Sequence, residues 1–225
     1  MGAGSKDQQE VRPFWKRAGY FLTWIFCRTM FVALARLRVL NNERMPEEGG
    51  LLVCSNHQSH FDPVLVGISF NRRLNYLARK TLFDVPVLKW LIAYLDAIPI
   101  ERDGMGIGGI KETLRRLKRG EIVLIFPEGT RCEDGAVAPL RPGFYAIAKR
   151  SGCPILPVGL AGAFEMWPKH NKLPRPGSVA VQVGEPISAA EVRELGEEGL
   201  IEELQARIEA CFEQASSQLK PKRRK

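Results

Sequence analysis

Ile122-Val123-Leu124-Ile125-Phe126 is a short, branched and uninterrupted apolar run, and the segment before it has a different period. Ile110, Leu114 and Leu117 fall at i, i+4 and i+7, with Lys111, Arg115, Arg116, Lys118 and Arg119 on the other faces and Gly120 as the stop. That pattern predicts an amphipathic helix, and a helix feeding a strand apolar on both faces is the mark of an α/β fold built on a largely parallel sheet. The same reading predicts strands over residues 51–54, 74–78, 153–160 and 179–183, with an apolar stub at 97–100. Helices are expected just after Pro63, over 144–149, and from 189 or 192 to 217. Pro154 and Pro157 are read as marking edges of pairing, and 163–178 as a surface loop. One α/β domain over residues 41–218 follows, with a mixed, mainly parallel central sheet covered by helices.

Two of these strands deliver polar loops. The strand at 122–126 leads into Pro127-Glu128-Gly129-Thr130-Arg131, where glycine permits close backbone approach, threonine supplies a hydroxyl and arginine a planar fork of donors. Together they read as an anion site, although an ordinary turn with an exposed ion pair has the same composition. The strand at 51–54 leads into Asn56-His57-Gln58-Ser59-His60-Phe61-Asp62-Pro63, which carries two of the three histidines in the chain. A carboxylate five residues after His57 can hold one ring nitrogen and leave the other as a base. No GxSxG elbow accompanies the pair, so the hydroxyl it activates belongs to a substrate. Metal ligation by His57, His60 and Asp62 is the alternative, but the spacing is not HExxH and His170 lies in an unrelated proline-rich stretch. The glycines at 104–109 do not follow a strand as a nucleotide-binding loop requires.

The amino-terminal stretch has another character. Residues 1–13 are small, polar and expected to be disordered, whereas residues 14–40 are apolar and aromatic over most of their circumference, with Arg28 as an interruption. The longest uncharged run is too short to span a bilayer, for which ~20 residues are needed. A helix, or two with a bend near Arg28, lying in the membrane interface is the reading adopted, with Trp15, Phe21, Trp24 and Phe31 in lipid and Lys16, Arg17 and Arg36 among headgroups. A core helix and a secretory signal ending near Ala33-Leu34-Ala35 are the competing readings.

The net charge of +8 is concentrated at the ends, with +5 in residues 1–44 and +5 in the tail at 219–225, which leaves a body that is slightly acidic. Such a distribution suits an anionic membrane surface and not a nucleic-acid groove across the fold. Five scattered cysteines without a CxxC pair argue for a reducing compartment, on the cytoplasmic side.

Four blocks, taken in order, resemble the glycerolipid acyltransferase family, the 1-acylglycerol-3-phosphate acyltransferases that make phosphatidic acid. His57 and Asp62 match its HxxxxD block, and Ile98-Pro99-Ile100-Glu101-Arg102 its second block. Phe126-Pro127-Glu128-Gly129-Thr130-Arg131 matches the third, and Pro154-Ile155-Leu156-Pro157-Val158 the fourth. The resemblance implies that His57 is the general base, oriented by Asp62. It implies that Arg102, Glu128, Gly129, Thr130 and Arg131 hold the phosphate end of a lysophospholipid acceptor, and that Pro157 shapes the acyl-donor side. The co-substrate would be acyl-CoA or acyl carrier protein, with no cofactor and no metal. Some members of the family carry a two-helix amino-terminal motif, which residues 14–40 resemble. Lys89, Glu101, Cys132 and Arg141-Pro142-Gly143 depart from the usual residues of the blocks, so the acceptor stays open among lysophosphatidate, other lysophospholipids, lyso-ornithine lipids and glycerol 3-phosphate. A non-catalytic lipid-binding protein is the reading outside this class.

Overall fold

The computed structural model describes residues 14–80, 97–100 and 106–219. Among the described residues seven strands form one sheet in the order β1-β7-β6-β2-β5-β3-β4. They are β1 (Arg38–Leu40), β2 (Leu51–Ser55), β3 (Leu74–Arg79), β4 (Ile98–Ile100), β5 (Ile122–Ile125), β6 (Ile155–Ala161) and β7 (Ala180–Val183). Every pairing is parallel except β6 with β7, so the expected mixed, mainly parallel sheet is present. Antiparallel pairing at that one place reverses β7 and β1 relative to the other five strands. The carboxyl ends of β2, β3, β4, β5 and β6 therefore share one edge of the sheet, where ligands bind in open α/β folds.

Alternation along the strands divides the core in two. Leu51, Val53, Ile122, Leu124, Leu156 and Val158 point to one face, covered by α1 (Phe14–Ala35) and α2 (Asp62–Ile68). Leu52, Cys54, Val123, Ile125 and Ile155 point to the other, covered by α3 (Gly106–Lys118), α4 (Tyr145–Ser151) and α6 (Ala189–Ser217). With both faces buried, the strands must be apolar throughout, which is why 122–125 shows no polar alternation. A short α5 (Ala163–Met166) stands at the start of the stretch read from sequence as loop. A capping box between Ser188 and Glu191 starts α6, which bends at Gly196.

β6 and α6 approach each other backbone to backbone at Gly159. A Cβ there would lie 2.2 Å from the Phe212 nitrogen and 2.3 Å from the Cys211 carbonyl carbon of α6. Backbone on both sides cannot rotate out of the way, so Gly159→Ala is expected to cost about 3 kcal/mol or more, the upper range of overpacking. Urea unfolding measures this; a wild-type midpoint would mean that α6 slides without loss.

Pro157 corrects one sequence reading. It sits inside β6 opposite Cys54, in the sheet interior and not at an edge of pairing. Between the Gly184 N–H bond to the Pro157 carbonyl and the double bond joining Ile155 to Ile187, one residue of β6, Leu156, faces two of the neighbouring segment, Glu185 and Pro186. The extra residue is a bulge, and a bulge is where a strand tolerates the missing N–H of proline.

The amino-terminal stretch takes the single-helix form of the expectation but ends earlier. It is one element from Phe14 to Ala35, and residues 38–40, read as the end of the anchor, form the edge strand β1. The window Ala18–Ala35 is long and apolar enough to cross a membrane by length and composition, with a mean hydropathy of 1.4. Arg28, however, turns toward the domain. It donates to the Ile68 carbonyl at the end of α2 and lies over the Trp24 ring, whose Nε1 donates to the Phe70 carbonyl. Phe31 is only 4% exposed and packs edge-on against Phe61. Trp24 and Phe31, expected in lipid, are thus protein-facing. Among the described side chains of α1, which leave out Trp15, Lys16 and Arg17, the large apolar ones exposed are Phe21, Leu22, Ile25, Phe26, Val32 and Leu34. The only charge of this window is on the docked side, which leaves the outward face uncharged.

Candidate active site

β2 and β5 are parallel neighbours in register from Leu51↔Ile122 to Cys54↔Ile125, so their carboxyl ends release both polar loops at one level. Asn56 extends the ladder by its side chain. Its Nδ2 donates to the Leu160 carbonyl at 2.9 Å, and its Oδ1 accepts from the Leu160 N–H at 2.7 Å. His57 then joins the two loops through its own backbone. Its N–H donates to Glu128 Oε1 at 2.9 Å, and its carbonyl accepts from the Cys132 N–H at 2.8 Å. Its ring stacks on Phe126, with centroids 4.0 Å apart and planes at 14°.

Asp62 is fully buried and gathers three donors on one oxygen. Its Oδ2 lies 2.7 Å from His57 Nδ1 and accepts the N–H groups of Gln58 and Ser59 at 2.6 and 2.7 Å. Two backbone donors on one oxygen favour the carboxylate, and a carboxylate makes Nδ1 the protonated nitrogen of the ring. The lone pair then resides on Nε2, while the side chain keeps 19% of its surface open. A base fixed in tautomer and orientation, and reachable from outside, is the result.

The second loop supplies polar groups of different kinds. Glu128 is buried and serves the backbone of His57, and its pKa is pushed up to about 8. Burial is the main cause, opposed by the N–H groups of His57 and Ala138. Gly129 has φ 74, and a Cβ there would meet Arg141 Cδ at 2.9 Å and Nε at 3.0 Å. The Arg141 side chain therefore lies across Gly129, a contact with no signal among the residues beyond the unusual turn. Thr130 and Arg131 are half-buried. Arg131 is near enough to His60 to lower its pKa, second only to burial, so the guanidinium belongs to the His57 neighbourhood. Cys132 is the thiol of this loop, and burial pushes it up to about 11, which leaves it protonated and a poor nucleophile.

The Glu128 shift has a testable sign. The carboxyl is neutral in the fold up to about pH 8 but ionises near 4.5 in the unfolded chain. Its contribution to stability is therefore complete below 4.5, declines as pH rises, and is lost above 8. Glu128→Gln keeps an acceptor for the His57 N–H and removes that decline. Urea unfolding at the two ends of this range should show a fall for wild type and a flatter profile for the variant; parallel profiles would contradict the assignment.

Pro157 is not brought to His57; its ring points toward α6, where Gly184 and Cys211 pack around it. Arg102 and the apolar stretch read over 82–95 lie outside the described residues. Trp167, read from sequence as a loop residue, forms part of the site wall. Its carbonyl accepts the Ser59 hydroxyl at 2.8 Å and its ring packs on His60 and Phe61. Among the described residues no group of three or more His, Cys, Asp or Glu side chains is placed to hold a metal ion.

This geometry accompanies clear similarity to known proteins. A model of the Acyltransferase family matches residues 36–161. A 1-acyl-sn-glycerol-3-phosphate acyltransferase of Bacillus subtilis is 31% identical over 179 residues, 76% of this chain and 85% of that protein. One of Pseudomonas aeruginosa is 32% identical over 222 residues, covering 94% and 82%. Among solved structures, the 1-acyl-sn-glycerophosphate acyltransferase PlsC of Thermotoga maritima matches with a TM-score of 0.79 at 26% identity, over 94% of this chain and 86% of that one.

Proposed function

The chain belongs to the Acyltransferase family, and from that premise we propose that it moves a fatty acyl group from a thioester to the free hydroxyl of 1-acylglycerol 3-phosphate, giving phosphatidic acid. The observation that carries this reading is the junction at His57, where the base, its carboxylate and the arginine-bearing loop meet within one residue's hydrogen bonds. The acceptor hydroxyl gives its proton to His57 Nε2 as its oxygen attacks the thioester carbonyl. The C–O bond forms, the C–S bond breaks, and the imidazolium returns the proton to the departing thiolate. Asp62 stabilises the imidazolium between these steps. A thioester is already activated, so positioning carries much of the barrier reduction, and orientation of this kind contributes about 7–11 kcal/mol.

Arg131, with Thr130 and Arg102, holds the phosphate of the acceptor at a fixed distance from the base. Arg131→Ala should raise the KM for lysophosphatidate about 10–100-fold, the loss of a charged hydrogen bond, and leave the KM for the donor unchanged. An equal loss on acceptors without a phosphate monoester would contradict this role.

The acceptor and product are amphiphiles, and a monotopic attachment through the apolar outward face of residues 18–35 would bring the site to the lipid surface, a reading that the composition of that window supports. Free thiols at all five cysteines fit the cytoplasmic face, where coenzyme A and acyl carrier protein thioesters are available. The deciding experiment gives purified protein labelled acyl-CoA or acyl carrier protein with a panel of lyso-acceptors and glycerol 3-phosphate, and identifies products by mass spectrometry. Phosphatidate as the main product supports the reading; acylation of another acceptor alone would replace the substrate, and no acylation would remove the reaction.

A further inference from the structure

At the carboxyl end of α1 the chain turns through Arg36, which holds φ 46, into Arg38 at the head of β1. A non-glycine residue in the left-handed region is strained by an amount the surrounding structure must offset, and such positions cluster where ligands are held. Arg36 and Arg38 line a cavity of about 220 Å³ with Ser178, Gln218 and Leu219, and no carboxylate is among the lining residues. Arg38 Nη1 donates to the Gln218 carbonyl at 2.9 Å, which fixes one arm of its fork. Two arginines and a serine lining a space of this size offer donors that suit an oxyanion with several acceptor oxygens.

The location narrows the ligand. Arg38 pairs with Ala180 and Ala180 with Ala161 at the carboxyl end of β6, so the cavity is on the same edge of the sheet as His57. Three strand steps separate β1 from β2, about 14 Å at ~4.8 Å per step, so it is distinct from the active site. The exposed Val32 and Leu34 of α1 lie just before it in the chain. Leu219, which lines it, is followed directly by Lys220, Lys222, Arg223, Arg224 and Lys225. The apolar face of α1, two arginines and the root of a basic tail thus meet at one corner.

We propose that this cavity binds the phosphate of an anionic phospholipid headgroup. A headgroup held there fixes the roll of α1 in the interface and with it the height of His57 over the leaflet. The inference rests on α1 lying in the membrane. The test uses the full chain and measures co-sedimentation with vesicles of phosphatidylcholine alone or mixed with phosphatidylglycerol. Wild type should bind both, and the mixed vesicles more tightly. Arg36→Gln with Arg38→Gln should lower affinity for mixed vesicles about fivefold per arginine and leave neutral vesicles unaffected. Gln218→Trp, at an exposed position, fills the cavity without changing charge and should act in the same direction. Acylation of detergent-dispersed acceptor by these variants should match wild type, which shows that they fold. If glutamine at the five tail cations removes the anionic preference while the cavity variants keep it, the attraction is diffuse and the site is refuted. Calorimetric binding of inorganic phosphate that the arginine pair governs, with vesicle binding unchanged, would make it a soluble-phosphate site instead. Failure to bind even neutral vesicles would remove the α1 anchor and this inference together.

Discussion

Replacing His57 with alanine will lower acyl transfer by about 10²–10⁴-fold, the usual worth of a general base, while the protein stays folded. The separation of these effects follows from how the residue is held. Both bonds that tie the two loops, to Glu128 and from Cys132, are made by the backbone of residue 57 and survive truncation of the side chain. What is lost is the ring, with its stacking on Phe126 and its Nε2 lone pair. The loss should fall on kcat, since a proton acceptor acts in the transition state and adds little to substrate binding. Thermal unfolding near that of wild type, with vesicle binding unchanged, is the control. Retention of wild-type kcat would mean that another group takes the proton and that His57 is not the base.

Asp62→Asn should cost both activity and stability. The amide oxygen can remain where Oδ2 accepts three donors, but the amide nitrogen must then occupy the site of Oδ1, which is buried and has no hydrogen-bond partner. Three charge-assisted bonds become neutral ones and a new buried donor is left unmet, so a loss of about 3–5 kcal/mol is expected in urea unfolding. Acyl transfer should fall about 10³–10⁴-fold, because a neutral partner no longer stabilises the imidazolium. Wild-type stability in the variant would mean that Oδ2 does not hold these three donors, and the assignment of the tautomer would fail with it.

How much of this could be read from the residues depended on the kind of signal. Residues 122–125 are apolar on both faces because helices cover both, so strand, neighbours and α/β class were legible from one run. His57 and Asp62 were legible as a pair because five residues of loop and one helical start bring them to 2.7 Å. Arg38–Leu40 was not. Three residues after an apolar helix carry no period, and only pairing with β7, about 140 positions later, makes them a strand. Pro157 misled for the same reason, since the bulge that accommodates it is formed by residues 184–187. Arg28 read as an obstacle to lipid contact; the carbonyl of Ile68, distant in sequence, gives it a protein partner and leaves the opposite face uncharged. Trp167 and Arg141 join the site only through contacts across the sheet edge.

The account requires that the acceptor oxygen attack the thioester itself, with His57 taking its proton and no side chain carrying the acyl group. Rapid mixing of enzyme with radiolabelled acyl thioester, acid quenching and intact-protein mass measurement tests this directly, first without acceptor and then with it. The predicted result is no label on the protein at any time, with thiol release that waits for acceptor and keeps pace with product. An acylated protein that forms before acceptor is added, and then passes its acyl group on at the turnover rate, would contradict it.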